Sequence, residues 1–203
     1  AEPLPIPDLC LKGRVPPSNA TLSLDETECS PEARIWPEFH NGVAAGLRLP
    51  LPDECTETMS RVTRSWIVYN RPAPSNAQDS NDAAANRAND LKSHAHGGFL
   101  LALGLRGHLT ALEMTDLYEY LTEGTVTTTV GVLLGMAANK RGTCDMAIST
   151  MLFLHVPSLI PQHFSALDVA SAVQTAAVTG AGLRFQGASH RMMTEFLLNE
   201  IGK

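Results

Sequence analysis

Seven histidines and four cysteines in 203 residues are the first places to look for chemistry. His94 and His96 flank Ala95, while His108, His155, His163 and His190 are scattered. No Cys/His set has zinc spacing, and no acid falls three or four residues from two histidines on one helix face, so no metal site is expected. The simplest place for His94 and His96 is the exposed start of a helix. Ser189 and His190 are sequence neighbours and point in different directions on a helix. Gly187-Ala188-Ser189 also lacks the glycine that would complete a nucleophile elbow. Cys144 stands beside Asp145 without a nearby base. A first helical turn would lower its pKa, but a buried, inert thiol is the plainer expectation. Gly180-Ala181-Gly182 followed by Gly187 imitates a dinucleotide fingerprint, yet its third glycine is misplaced and it falls late in a helix rather than after a strand. The expectation is no catalytic residue, no cofactor and no metal.

What these residues sit on is a recurring pattern. Small-residue helical segments end in Gly-Leu or a relative at Val43-Ala44-Ala45-Gly46-Leu47, Leu101-Ala102-Leu103-Gly104-Leu105, Leu133-Leu134-Gly135-Met136-Ala137 and Thr179-Gly180-Ala181-Gly182-Leu183. A later glycine follows three of them, at Gly107, Gly142 and Gly187, spaced by 35 and then 45 residues. Such periods belong to stacked helical repeats. Small residues let helices approach closely, and the next glycine takes the left-handed conformation that ends a helix. Gly46, Gly104, Gly135 and Gly182 are therefore read as packing residues, and Gly107, Gly142 and Gly187 as turns. A leucine in place of Gly182 is expected to open a helix interface. Gly131 and Gly135 form a GxxxG pair, read here as a close-packed interface in water.

Composition agrees. Hydrophobic residues make up 44% but aromatics only 5%, which suits tightly packed helices built from Ala, Gly, Leu and Met. A formal charge of -6 implies no basic surface and argues against a nucleic-acid binder. The cysteines (Cys10, Cys29, Cys55, Cys144) have no disulfide-dense spacing and read as reduced thiols of a nuclear or cytosolic protein. The first residues alternate prolines with apolar side chains and are not expected to act as a signal peptide. Between Met146 and Leu183 the only formal charge is Asp168. Pro157, Pro161, Gln162, His163 and Ser165 interrupt that stretch, so neither half reaches the roughly 20 apolar residues of a membrane span. Buried helices explain it instead.

Along the chain, 1–35 reads as an extended proline-rich lead-in with a short strand near Thr21-Leu22-Ser23-Leu24. A first repeat follows over 36–70, with helices from about Pro37 to Leu47 and Glu57 to Asn70. Residues 71–93 read as a flexible insertion, and 94–203 as further repeats. The helices expected there begin near Leu91, Thr110 (a capping-box pattern with Glu113), Thr127, Thr143, Leu167 and Ser189. Gly142-Thr143 and Gly187-Ala188-Ser189 each place a stop glycine directly before a new cap, a device for tight hairpins. Two places are candidates for partner contact. One is Trp66 and Tyr69, with the plainer alternative that Trp66 anchors its own helix. The other is the uncharged tract Ser149 to Phe164.

These segments resemble proteasome/cyclosome repeats, helical hairpins found in two large proteasomal subunits and in the largest scaffold subunit of the anaphase-promoting complex. The second is favoured by Phe39-His40-Asn41-Gly42-Val43-Ala44-Ala45-Gly46-Leu47, by Trp66-Ile67-Val68-Tyr69-Asn70 ahead of a proline, and by Gly98 to Leu105 continuing through Gly107-His108-Leu109. Lys12-Gly13-Arg14-Val15-Pro16-Pro17, Thr143-Cys144-Asp145-Met146 and Ala188-Ser189-His190-Arg191 add to the likeness. The resemblance implies an all-α arc of repeats, cut from a longer chain. It also implies a non-catalytic scaffold of a ubiquitin ligase acting in mitosis, in nucleus and cytoplasm. Its implied partners are other subunits of that complex, with no nucleic acid, membrane or small-molecule substrate. Two alternatives stay open: a proteasomal scaffold on the same repeat, and a small α-helical hydrolase or metal-binding protein using His94, His96 and Cys144.

Overall fold

Ser30-Pro31-Glu32 is a helix-start signal in three residues. The Ser30 hydroxyl accepts the Ala33 N–H, proline fills the first turn where its missing donor costs nothing, and Glu32 meets the positive helix end. In the computed structural model, which describes residues 12–23, 29–52, 62–72, 83–160 and 168–201, α1 therefore spans Pro31–Gly46. It begins before the expected Pro37, which lies inside it. Ahead of it β1 (Lys12–Val15) pairs antiparallel with β2 (Ala20–Ser23) in a two-stranded sheet.

The other helices are α2 (Arg64–Tyr69), α3 (Ala83–Leu105), α4 (Met114–Glu123), α5 (Val126–Asn139), α6 (Met146–Phe153), α7 (Ser171–Arg184) and α8 (Arg191–Ile201). Short 3-10 turns lie at His108–Ala111 and Pro157–Leu159. The described residues are thus mostly helical, in keeping with an all-α repeat fold. The expected start of α2 near Glu57 falls outside them, as do residues 73–82 of the expected insertion. Residues 83–93 of that insertion are helical: α3 begins at Ala83, not near Leu91, because the Ala- and Asn-rich run continues into the apolar helix without a breaker.

Several caps also differ from expectation. The Thr110 hydroxyl bonds back to the Gly107 carbonyl, leaving Glu113 and Asp116 to open α4, with the Glu113 N–H donating to Asp116 Oδ2 at 2.9 Å. Thr143 likewise donates to the Lys140 carbonyl at 2.8 Å, and Asp145 caps α6 by accepting from Ala147 and Ile148. Ser189 sits at φ 51° outside the helix, and His190 Nδ1 accepts the Met193 N–H at the start of α8.

Helices α1, α3, α5 and α7 lie side by side in sequence order. Their registers rise together. Gly42 meets Ala95 and Gly46 meets Ala102; Gly97 meets Gly131 and Gly104 meets Gly135; Ala137 meets Gly180 and Lys140 meets Arg184. The four helices are therefore parallel, and α4 and α6 return the chain between them. α5 is buried on nearly every side from Thr127 to Ala137, as an apolar helix flanked by two neighbours must be. One continuous core runs from Phe39 through Phe99, Leu103, Leu133 and Met151 to Val173 and Ala177.

Candidate functional site

The chain's distinctive geometry is where backbone meets backbone across this stack. A methyl group on Gly42 would overlap the Ala95 carbonyl, and one on Gly98 would overlap the Phe39 carbonyl. On the next interface, Gly97 faces Thr127 so closely that an added Cβ would stand 2.7 Å from its carbonyl oxygen. Gly131 would likewise collide with the Gly97 carbonyl, and Gly104 with Gly135. These contacts need the absence of a side chain, not glycine's backbone freedom. Gly46 packs on Ala102 and Phe99, and Gly135 on Leu100 and Leu109. Gly107, Gly142 and Gly187 have φ of 83°, 70° and 75° and form the turns. The Gly142 N–H reaches across to the Leu183 carbonyl at 3.1 Å, fastening one hairpin turn to the end of the next inner helix.

One expected packing residue is misplaced. A Cβ on Gly182 meets only Leu197 Cδ1, at the ordinary distance of 3.9 Å, so leucine there would not open a main interface. The close-packed position is Gly180, whose added methyl would stand 2.8 Å from Leu152 Cδ2 and 3.2 Å from Ala137 Cβ.

The polar groups divide into three sets. Arg64 grips Asp116 through a two-pronged ion pair at 2.7 and 2.8 Å, which holds α2 against the start of α4. The guanidinium keeps the Asp116 carboxyl below its usual range, and Arg64 is raised by the same bond. Beside it, Arg71 pairs with Glu119 at 3.1 Å and with Glu123, and lies 5.1 Å above the Tyr120 ring. Tyr120 in turn is 3.0 Å from His96 Nε2. Because α3 starts early, His94 and His96 fall mid-helix rather than at an exposed end. His96 is buried, and burial first, then the charge of Arg71, lowers its pKa to about 4. His94 is half-buried, lowered by burial, and bonds Thr127 Oγ1 at 2.8 Å.

The third set surrounds Arg184, which no motif flagged. Its guanidinium is fully buried and holds Thr143, Ser149 and the carbonyls of Lys140 and Asp145. The signal available was its position as the first cation after the uncharged tract. Gly42, Gly97 and Gly98 were also absent from the expected packing set. Gly42 precedes Gly46 by one helical turn, which is a readable small-residue pair.

The remaining candidates are not brought together. His108 bonds the Pro50 carbonyl and His155 the Met151 carbonyl. Cys144 lies in the turn before α6 at φ 52°, only partly buried, rather than in a first helical turn. Among the described residues no group of three His, Cys, Asp or Glu side chains could hold a metal, and no helix is long and apolar enough to cross a membrane. Trp66 lies against Phe99, with ring centroids 5.8 Å apart, while Tyr69 is 78% exposed. In the uncharged tract Ser149, Met151, Leu152 and Val156 are buried, Leu154 and Leu159 are exposed, and 161–164 fall outside the described residues.

A parallel stack of glycine-faced inner helices with a shared core defines a helical-repeat fold. Comparison with known proteins narrows it. Residues 1–141 match the family model described as APC1 fourth domain, and residues 146–203 match APC1 fifth domain. The chain belongs to the anaphase-promoting complex subunit 1 family. It is 44% identical to anaphase-promoting complex subunit 1 of Mus musculus, over all of this chain and 9% of the relative. It is 41% identical to the subunit of Dictyostelium discoideum, over all of this chain and 8% of that relative. It is also 36% identical to the protein named negative regulator of mitosis from Emericella nidulans, over 98% of this chain and 9% of that protein. The chain therefore spans about a tenth of the length of these relatives. The two family matches meet in the turn between α5 and α6.

Proposed function

We propose that this segment is a non-catalytic scaffold element of the anaphase-promoting complex, a ubiquitin ligase acting in mitosis, and that it holds neighbouring subunits of that complex in place. The observation that carries this reading is the stack itself. Its inner helices touch through backbone at Gly42, Gly98, Gly97 and Gly131, which leaves no room for a reactive cleft between them and makes the stack stiff. Stability in such an array sums over neighbouring interfaces, so rigidity in one repeat supports a surface presented by the next. Family membership supports the assignment to this complex, and we infer residence in nucleus and cytoplasm with it.

The test uses the full-length subunit carrying an affinity tag, with and without Gly131→Leu. The unaltered protein is expected to recover the other subunits of the complex by mass spectrometry, and the variant to recover several-fold less of them. Equal recovery by the two would count against a scaffolding role for this stack.

A further inference from the structure

Arg184 is a buried cation whose hydrogen-bond partners are all neutral. Nη1 donates to Thr143 Oγ1 at 2.9 Å and to the Lys140 carbonyl at 3.5 Å; Nη2 donates to Ser149 Oγ at 3.0 Å and to the Asp145 carbonyl. The Nε–H has no partner among the described residues. The adjacent acid, Asp145, uses its carboxylate on the N–H groups of Ala147 and Ile148 at 3.0 and 3.4 Å. The ring of Phe185 closes one face, 5.5 Å from the guanidinium carbon. Burial disfavours this charge more than the neighbouring Asp145 carboxylate favours it, so a further anion at the guanidinium would be stabilising. Of the groups that touch it, Thr143 alone is exposed, in a turn where Arg141 and Gly142 are exposed as well.

We propose that Thr143 is a phosphoacceptor and that Arg184 is the receptor built for its phosphate. Lys140 and Arg141, three and two residues before Thr143, suit a kinase that selects basic residues ahead of the acceptor. In the transfer, the Thr143 hydroxyl oxygen bonds to the terminal phosphorus of a nucleoside triphosphate. The bridging P–O bond breaks, the nucleoside diphosphate leaves with the electron pair, and the hydroxyl proton passes to the kinase's base. The product carries close to two negative charges and three strong acceptors beside Nη1. Thr143 loses its bond to the Lys140 carbonyl and gains a charge-assisted one to Arg184. That bond spans the turn between α5 and α6 and the end of α7, where the two family domains meet, so the modification stiffens that junction.

The experiment treats the purified full-length subunit with a basophilic serine/threonine kinase and ATP, maps phosphate by mass spectrometry, and follows amide hydrogen exchange. Phosphate on Thr143 is expected, with exchange over residues 140–149 and 180–187 slowed at least threefold. Arg184→Lys, which keeps the charge but not the fork, should abolish the slowing. No phosphate at Thr143, or a phosphate that leaves exchange unchanged or faster, overturns the proposal. If Arg184→Lys fails to fold, Thr143→Asp and Thr143→Asn decide: protection by the acid alone supports the pairing, and equal behaviour overturns it.

Discussion

Two glycines two positions apart in α7 play opposite parts. Gly180 faces Leu152 and Ala137 at overlapping distance, whereas Gly182 faces open space and the tip of Leu197. Two helical steps turn a side chain by about 200°, so a motif read as one small-residue word occupies both sides of the helix. Gly182→Ala is therefore expected to stabilise the protein by about 0.5–1 kcal/mol through helix propensity. Gly180→Leu should destabilise it by about 1–3 kcal/mol through overpacking. Chemical denaturation of the two variants checks the contrast, and similar effects from both would refute it. The turn glycines were legible because their spacing and the residues after them mark hairpins. Which helix face a small residue takes was not, since that depends on the neighbour's position. His96 was misread for a related reason: its burial follows from a helix start at Ala83 that the polar composition of 83–93 concealed.

His96 also sets a pH window. Its pKa is about 4 folded and 6.5 in the unfolded chain, so between those values the unfolded chain binds the extra proton. Its contribution is complete above pH 6.5 and is lost as pH falls toward 4, by on the order of 3 kcal/mol. Urea unfolding at pH 7 and pH 4.5 should show the loss, and His96→Asn should remove most of it. At the scale of elements, α2 has six residues and its main tie to α4 is the Arg64–Asp116 pair. Asp116 is depressed, so its share is present above pH 3.8 and disappears only in stronger acid, below the histidine window. Asp116→Asn is expected to loosen α2, read as faster proteolysis within residues 62–72 and an unchanged α5–α7 interface. Helix existence was legible from small-residue runs and stop glycines. The caps were less so, because a threonine hydroxyl can turn back to its own preceding carbonyl, as Thr110 and Thr143 do, and leave the cap to the next acid.

Across the molecule, stability is distributed along the stack rather than gathered at one centre. A lesion between α3 and α5, such as Gly97→Leu, should disrupt the interior interface and release both sides. A change at Leu198, exposed on α8, should leave the melting temperature within about 1–2 °C. Scanning fluorimetry of the two variants tests this, and a Gly97→Leu protein that melts with the unaltered one would refute it. The repeat character and the all-α class were plain in the sequence, because both follow from composition and period. The partners of Arg184 were not, because Lys140, Thr143, Asp145 and Ser149 lie some forty residues upstream and converge on it only once α5, α6 and α7 are packed.

Parallel inner helices put Gly107, Gly142 and Gly187, the turns after α3, α5 and α7, on one edge of the stack. The dipoles of the returning α4 and α6 run the other way, so that edge carries amino- and carboxyl-terminal helix ends side by side and no net polarity. A protein laid along it therefore meets one turn per repeat, and the order of side chains on those turns is what sets its direction.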